Sequence, residues 1–488
     1  MKFTHSALLA ALASMASAKD SRTFAVLRFN GDQFLTEGPI DPVVSPGRQS
    51  THYHTVMGGS NFGATVDGTT LSDSQCTTAK IKNDKSNYWV PGLFFQDPKS
   101  GQFQKVPLYY MNVYYFFEPT DDEIKAFPLG LKMLAGDAQT RSPPASGGAL
   151  NLDPDNGTPI NAVQWTCPRQ NYDVPSYPVD SDGSMGGQVD PHNEGSGTGF
   201  PFQRCDGTYS PLRMDIHFPS CYNPEAGLDD YKNNMKYPSN VNNKQNCPKG
   251  WIHVPHIFFE VYWNTPLFDD KWTPDGKSQP FVLSTGDATG YSSHGDFVSG
   301  WDENTLQTII DSCNAGSSGM DLCPQIPGGL NDDNDCKVDP VFGKVLPVNE
   351  FLDELPIVGK NITGWGKGGV DGEPAPSYPQ ASQTYKAQPS PSKTNPKEQQ
   401  ATTYKANPVP VSVGQGNAPA PAPAPTAPAS PPADGNIDGG VLTVYDWVTV
   451  TKTMTIASAE ASPLHRRAPK FSHGHHHRHL GSFHGRRR

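Results

Sequence analysis

"HIFFEVYW", His256 to Trp263, decides the fold class. Ile257, Phe259, Val261 and Trp263 fall on one side of an extended chain, and His256, Phe258, Glu260 and Tyr262 fall on the other. Successive strand side chains point to opposite faces, so the alternation fits a strand better than a helix. Its aromatic and β-branched content agrees. The same texture recurs in "FAVLRFN" from Phe24, "NYWVPGLFF" from Asn87, "LYYMNVYYFF" from Leu108, "LRMDIHF" from Leu212 and "QPFVLST" from Gln279. Gly, Pro, Asn and Asp separate these runs. The expected fold is mainly β: an antiparallel sandwich or jelly-roll-like body with long disulfide-pinned loops. One or two short helices interrupt it. Asp302 can cap "ENTLQTIIDSC", where Leu306, Ile309 and Ile310 keep helical spacing. "TDDEIKAF" from Thr120 has acids in its first turn and is the second expected helix.

The chain has 488 residues, and its texture changes along its length. Lys2, the apolar "ALLAALASM" and the small-residue "ASA" before Lys19 read as a secretory signal over residues 1–18. A body is expected over 19–345, a Pro/Ala/Gly-rich linker over 346–437, and a strand-like segment with a His/Arg-rich basic tail over 438–488. The run "APAPAPTAPASPPA" has little apolar surface to bury, so the tail is expected to be disordered. All eight cysteines, from Cys76 to Cys336, lie in the body. An even count in a secreted chain points to disulfides, with the pairing open, and no paired CxxC spacing supports structural zinc. Asn156-Gly-Thr158 and Asn361-Ile-Thr363 match the glycosylation pattern.

The formal charge is −11 although the end of the chain is basic, so the body is acidic and no nucleic-acid partner is expected. No later run is long and apolar enough for a membrane span, and the basic end lacks a GPI-anchor signal. There is no GxSxG, HExxH or P-loop.

Three short motifs carry the candidate chemistry: His52-x-His54, Asp215-x-His217 and His294-x-Asp296. In a strand each pair stands on one face. Imidazoles and carboxylates so placed can work as acid and base, or ligate zinc or copper if three or four converge. All six are candidate catalytic residues, with His52, His54, His217 and His294 as candidate metal ligands. A divalent metal is the cofactor they suggest. The expectation is that all six meet on one concave surface. Trp251, Glu260 and Trp301 are candidate substrate contacts, and Glu260 would be a raised-pKa acid if buried. His192, in a Gly-rich stretch, reads as a loop residue.

"DPVVSPGRQSTHYHTVMGGSNF" (Asp41 to Phe62), "LRMDIHFPSC" and "STGDATGYSSHGDFVSGWD" resemble, in order, the hallmark segments of a secreted family. It is the domain-of-unknown-function family nineteen ninety-six, found in filamentous fungi and some bacteria. The resemblance spans about residues 20–345 and includes Cys247-Pro248; a family histidine just after that pair falls here near Trp251 or His253. It implies secretion and draws attention to the His and Asp positions without supplying an activity.

Three functional readings follow. One is a secreted or cell-wall-associated protein that binds or hydrolyses a polysaccharide, in its enzymatic form a glycoside hydrolase. The second is an extracellular zinc- or copper-binding protein. The third is a structural wall protein whose Pro-rich stalk and basic end attach it to anionic glycans.

Overall fold

The computed structural model describes residues 19–144, 148–170, 196–207, 209, 211–275, 278–332 and 335–364. The expected leader, His192 and the expected tail from residue 365 lie outside the described residues. The body is mainly β and its sheets are antiparallel. A six-stranded sheet runs in the order Thr23–Asn30, Leu108–Phe117, His256–Trp263, Arg213–His217, Val163–Thr166, Ser196–Gly197. A five-stranded sheet runs Thr36–Ile40, Gln49–Gly58, Asn87–Pro91, His294–Val298, Lys132–Gly136.

The core lies between these sheets, and the alternation of each strand put it there. Leu27, Val113, Tyr115, Met214, Ile216, Ile257 and Phe259 from one sheet join Met57, Tyr88, Val90, Met133 and Phe297 from the other in one buried cluster. Burying each large side chain contributes on the order of 1.5–3 kcal/mol. The core also holds a polar chain: Asp84 Oδ2 accepts from Tyr88, the Tyr88 and Tyr115 hydroxyls meet at 2.6 Å, and Trp301 Nε1 donates to Tyr115. Trp301 is therefore a core residue, 1% exposed. "NYWVPGLFF" is split after Pro91, and Leu93–Gln96 joins a separate three-stranded sheet with Phe103–Val106 and Phe281–Leu283.

The helix Glu303–Ser312 forms as expected, with Asp302 accepting from the Thr305 N–H at 2.8 Å. The segment from Thr120 is not helical. Thr120 pairs with Lys19, Ile124 pairs with His253, and the Asp122 carboxylate accepts from the Cys247 N–H. Tertiary pairing outcompetes the weak local helix signal. The other short helix is Gly68–Ser72, capped by Asp67.

Every cysteine is bonded: Cys76–Cys336, Cys167–Cys205, Cys221–Cys247 and Cys313–Cys323. The body runs past its expected boundary at 345. Leu346, Leu355 and Val358 are buried against Tyr53, Phe94 and Phe103, and the Thr363 N–H donates to Gly286. Among the described residues no helix is long and apolar enough to cross a membrane.

Candidate metal centre

His52 and His54 stand on Gln49–Gly58, and His294 stands on His294–Val298. The strand between them, Asn87–Pro91, pairs Pro91 with His54 on one side and Trp89 with Asp296 on the other. Val56, Trp89 and Val298 lie in a cluster separate from the main core. The histidines therefore sit on the face of the five-stranded sheet that points away from the six-stranded one. Gly295 faces inward, where an added Cβ would meet Ile216 Cδ1 and Phe259 Cδ2 at 3.1 Å and Phe218 Cζ at 3.2 Å. The glycine in His-Gly-Asp thus lets the sheets approach directly beneath the site.

The three imidazoles converge. His294 Nε2 lies 3.0 Å from His52 Nε2 and 3.5 Å from His54 Nε2. One ligand atom from each lies within 4.8 Å of the other two. His294 Nδ1 donates to the Ser292 carbonyl at 2.8 Å, which leaves its Nε2 with a lone pair. His52 Nδ1 is 3.2 Å from the Thr51 hydroxyl. The Ile40 carbonyl lies near His54, but no partner meets hydrogen-bond geometry at its Nδ1. All three rings are buried. Burial, then mutual repulsion, holds His52 and His54 well below the usual histidine range, and burial lowers His294 to about 4. Three neutral rings aim nitrogens at one point, an arrangement suited to a borderline-soft divalent cation.

Asp296 shares the face but does not join the cluster. Both its oxygens are buried without a hydrogen-bond partner, and burial, reinforced by Asp41, pushes its carboxyl well above the usual range. Asp41 is itself raised to about 6 by burial, against hydrogen bonds from the Val43 and Val44 N–H groups. Tyr231 lies in the field of both acids. Arg141 lies in the field of His52 and His294, and it donates to the Ala138, Thr140 and Thr285 carbonyls. Asp41 opens the quoted "DPVV" motif, but Tyr231 and Arg141 carry no local sequence signal. Beside them, a cavity of about 470 Å³ is lined by Gly136, Asp137, Asn161, Thr198, Tyr237 and Tyr291, among others.

The expected convergence of six residues is half correct. Asp215 and His217 stand on the outer face of the other sheet, because Met214 and Ile216 take the core side. Arg213 Nε pairs with Asp215 Oδ1 at 2.6 Å, and Arg213 Nη1 pairs with Glu260 Oε1 at 3.1 Å. Thr166 also donates to Asp215, and Asn112 donates to Glu260. Burial raises Asp215 to about 6 against the pull of Arg213. Trp251 directly precedes the short strand Ile252–His253, and the Lys236 ammonium lies 5.0 Å from its ring centre. A second cluster, Asp122, Cys247 and His253, has its sulfur engaged in the Cys221–Cys247 disulfide, so it cannot offer a thiolate.

A family model described as a domain of unknown function (DUF1996) matches residues 41–301. That span holds all three histidines. No curated protein and no solved structure matches the chain significantly.

Proposed function

The chain belongs to the DUF1996 family, a domain of unknown function, and we propose that it is an extracellular protein that works through a transition-metal ion held by His52, His54 and His294. The observation that carries this reading is the spacing of the three Nε2 atoms, 3.0 and 3.5 Å, contributed by strands 240–242 residues apart in sequence. With zinc–nitrogen bonds of about 2.0–2.1 Å, tetrahedral angles place neighbouring donors roughly 3.3 Å apart. Three ligands leave a fourth position, where bound zinc would supply Lewis acidity. The four disulfides fit an oxidising compartment and so support secretion.

The proposed partner is an extracellular polysaccharide of the cell wall. The neighbouring cavity supports this reading: its lining combines polar Asn161 and Thr198 with the rings of Tyr237 and Tyr291, a mixture that suits a neutral glycan. Asp215 and Glu260 are poorly arranged for glycoside hydrolysis, because Arg213 engages both carboxylates. The third expectation, a structural wall protein, rested on the tail.

Elemental analysis of the full chain tests the metal. The histidine-rich end also binds metal on chemical grounds, so the readout is the difference between wild type and His52→Ala/His54→Ala. One equivalent of zinc or copper fewer in the double variant supports the proposal. Equal content in the two proteins refutes it.

A further inference from the structure

The five-stranded sheet brings more to the histidine site than three imidazoles. Residues paired across strands share a face, so the outer surface of the sheet reads row by row. One row sets His54 opposite Pro91 and His294 opposite Gly136. The next sets Val56 opposite Trp89, Trp89 opposite Asp296, and Asp296 opposite Leu134. Asp296 therefore follows His294 on the same strand face, with about 7 Å between their Cα atoms. Around it, Val56, Trp89 and Val298 belong to an apolar cluster.

Asp296 is unsatisfied where it stands. It is 0% exposed, and among the described residues neither of its oxygens meets a hydrogen-bond donor. The indole N–H of Trp89, on the facing strand, is itself buried without an acceptor and so does not supply it. A buried polar group without a partner is costly, and folded proteins rarely keep one unless an ion, a water or a function explains it. Asp41 lies in the field of Asp296 and is also buried. The Val43 and Val44 N–H groups donate to its Oδ1. Asp215 and Glu260, on the other sheet, share Arg213; among the described residues no ion pair of that kind serves Asp41 or Asp296. The nearby cation, Arg141, spends donors on the Ala138, Thr140 and Thr285 carbonyls. Asp137 lies in the field of His294 but is exposed, so solvent screens it.

The charge of a bound ion has to be met in this dry setting. Neutral imidazoles bring none, and three of them suit zinc(II), copper(II) and copper(I) alike. An uncompensated buried charge is strongly unfavourable. Two carboxylates balance a divalent ion, whereas beside copper(I) they leave one negative charge over. A cation close by favours the carboxylate form of both acids.

We propose that Asp41 and Asp296 supply the counter-charge of the histidine site and select a divalent ion over copper(I). This rests on the metal reading above and deepens it: His52, His54 and His294 supply the bonds, and the two acids decide the charge of the ion. Loading the site gives the Asp296 oxygens the positive neighbour they lack.

The test is equilibrium competition of the full chain against a zinc chelator and, anaerobically with ascorbate, against a copper(I) chelator. Each protein is compared with its own His52→Ala/His54→Ala version, which removes binding by the histidine-rich end from the result. Asp41→Asn and Asp296→Asn keep the shape of each side chain and remove its charge, and Asp41→Asn keeps an oxygen for the Val43 and Val44 N–H groups. Each should weaken zinc binding about 10–100-fold. Coulomb energy scales with the charge of the ion, so copper(I) should lose no more than the square root of the zinc factor. If an asparagine variant does not fold, Asp41→Ser or Asp296→Ser replaces it, and one folded variant at either position is enough for the comparison. Equal factors for the two ions, or zinc affinity unchanged by the substitutions, overturn the proposal and leave the metal reading in place. Binding of neither ion above the His52→Ala/His54→Ala baseline overturns both.

Discussion

Replacing Gly295 should weaken both the sandwich and the proposed metal site above it. A Cβ added there would approach three buried atoms, Ile216 Cδ1, Phe259 Cδ2 and Phe218 Cζ, at 3.1–3.2 Å. Ordinary contacts begin near 3.4 Å, so each neighbour must give by 0.2–0.3 Å. All three are side-chain ends, but they lie in a core with no room to yield without moving their own neighbours. Overpacking of this kind costs about 1–3 kcal/mol. Gly295 has no left-handed backbone conformation, so alanine recovers about 0.4–1 kcal/mol from the unfolded chain. Gly295→Ala should therefore cost about 1–2 kcal/mol net, and Gly295→Val, with two more methyl groups in the same gap, about 3 kcal/mol or more. Urea denaturation of the three proteins measures this directly. Repeating it with zinc tests the link to the site, because the strand can relieve the clash only by moving outward with His294 and Asp296. The increment in stability given by zinc should shrink from wild type to alanine to valine. Gly295→Val as stable as wild type would show that the sheets do not meet closely at this point.

Two further outcomes follow from buried groups and from the cross-links. Burial raises Asp84 to about 6, from 3.8, against hydrogen bonds from Tyr88 and Ser86, so the native state favours its protonated form. The stability this gives is full below about pH 4 and is lost as pH rises to 6. Above that, the ionised carboxylate leaves a deficit of about 3 kcal/mol. Asp84→Asn should gain that amount relative to wild type between pH 4 and pH 7 in paired urea titrations; parallel curves would refute the assignment. Cys76–Cys336 closes a loop of 260 residues, so Cys76→Ser/Cys336→Ser should lower stability by about 5–6 kcal/mol in the same assay, and a loss under 1 kcal/mol would contradict the loop-closure account.

Much of this molecule is written locally. The alternation in His256–Trp263 and Arg213–His217 named both faces of each strand correctly, because side-chain direction in an extended chain depends on nothing beyond the chain itself. Asp302 and its helix were legible for the same reason, and the cysteine count was enough to expect full oxidation.

Sheet membership is decided elsewhere. His52-x-His54, Asp215-x-His217 and His294-x-Asp296 look alike in sequence, but the first and last join one sheet and the second joins the other. Period-two patterning says that a strand has a core side without saying which sheet it completes. That choice depends on pairings across 240 residues, such as the contact of His52 with His294. It also depends on packing, as at Gly295. Trp301 shows the same dependence: the sequence shows an aromatic residue beside a candidate motif, but only the approach of Tyr115 from the opposite sheet makes it a buried hydrogen-bond donor. The sequence alone determined strands, faces and cross-linking capacity, because these are properties of short segments. Tertiary structure decided which polar faces met, because distant strands come together only as the whole core forms.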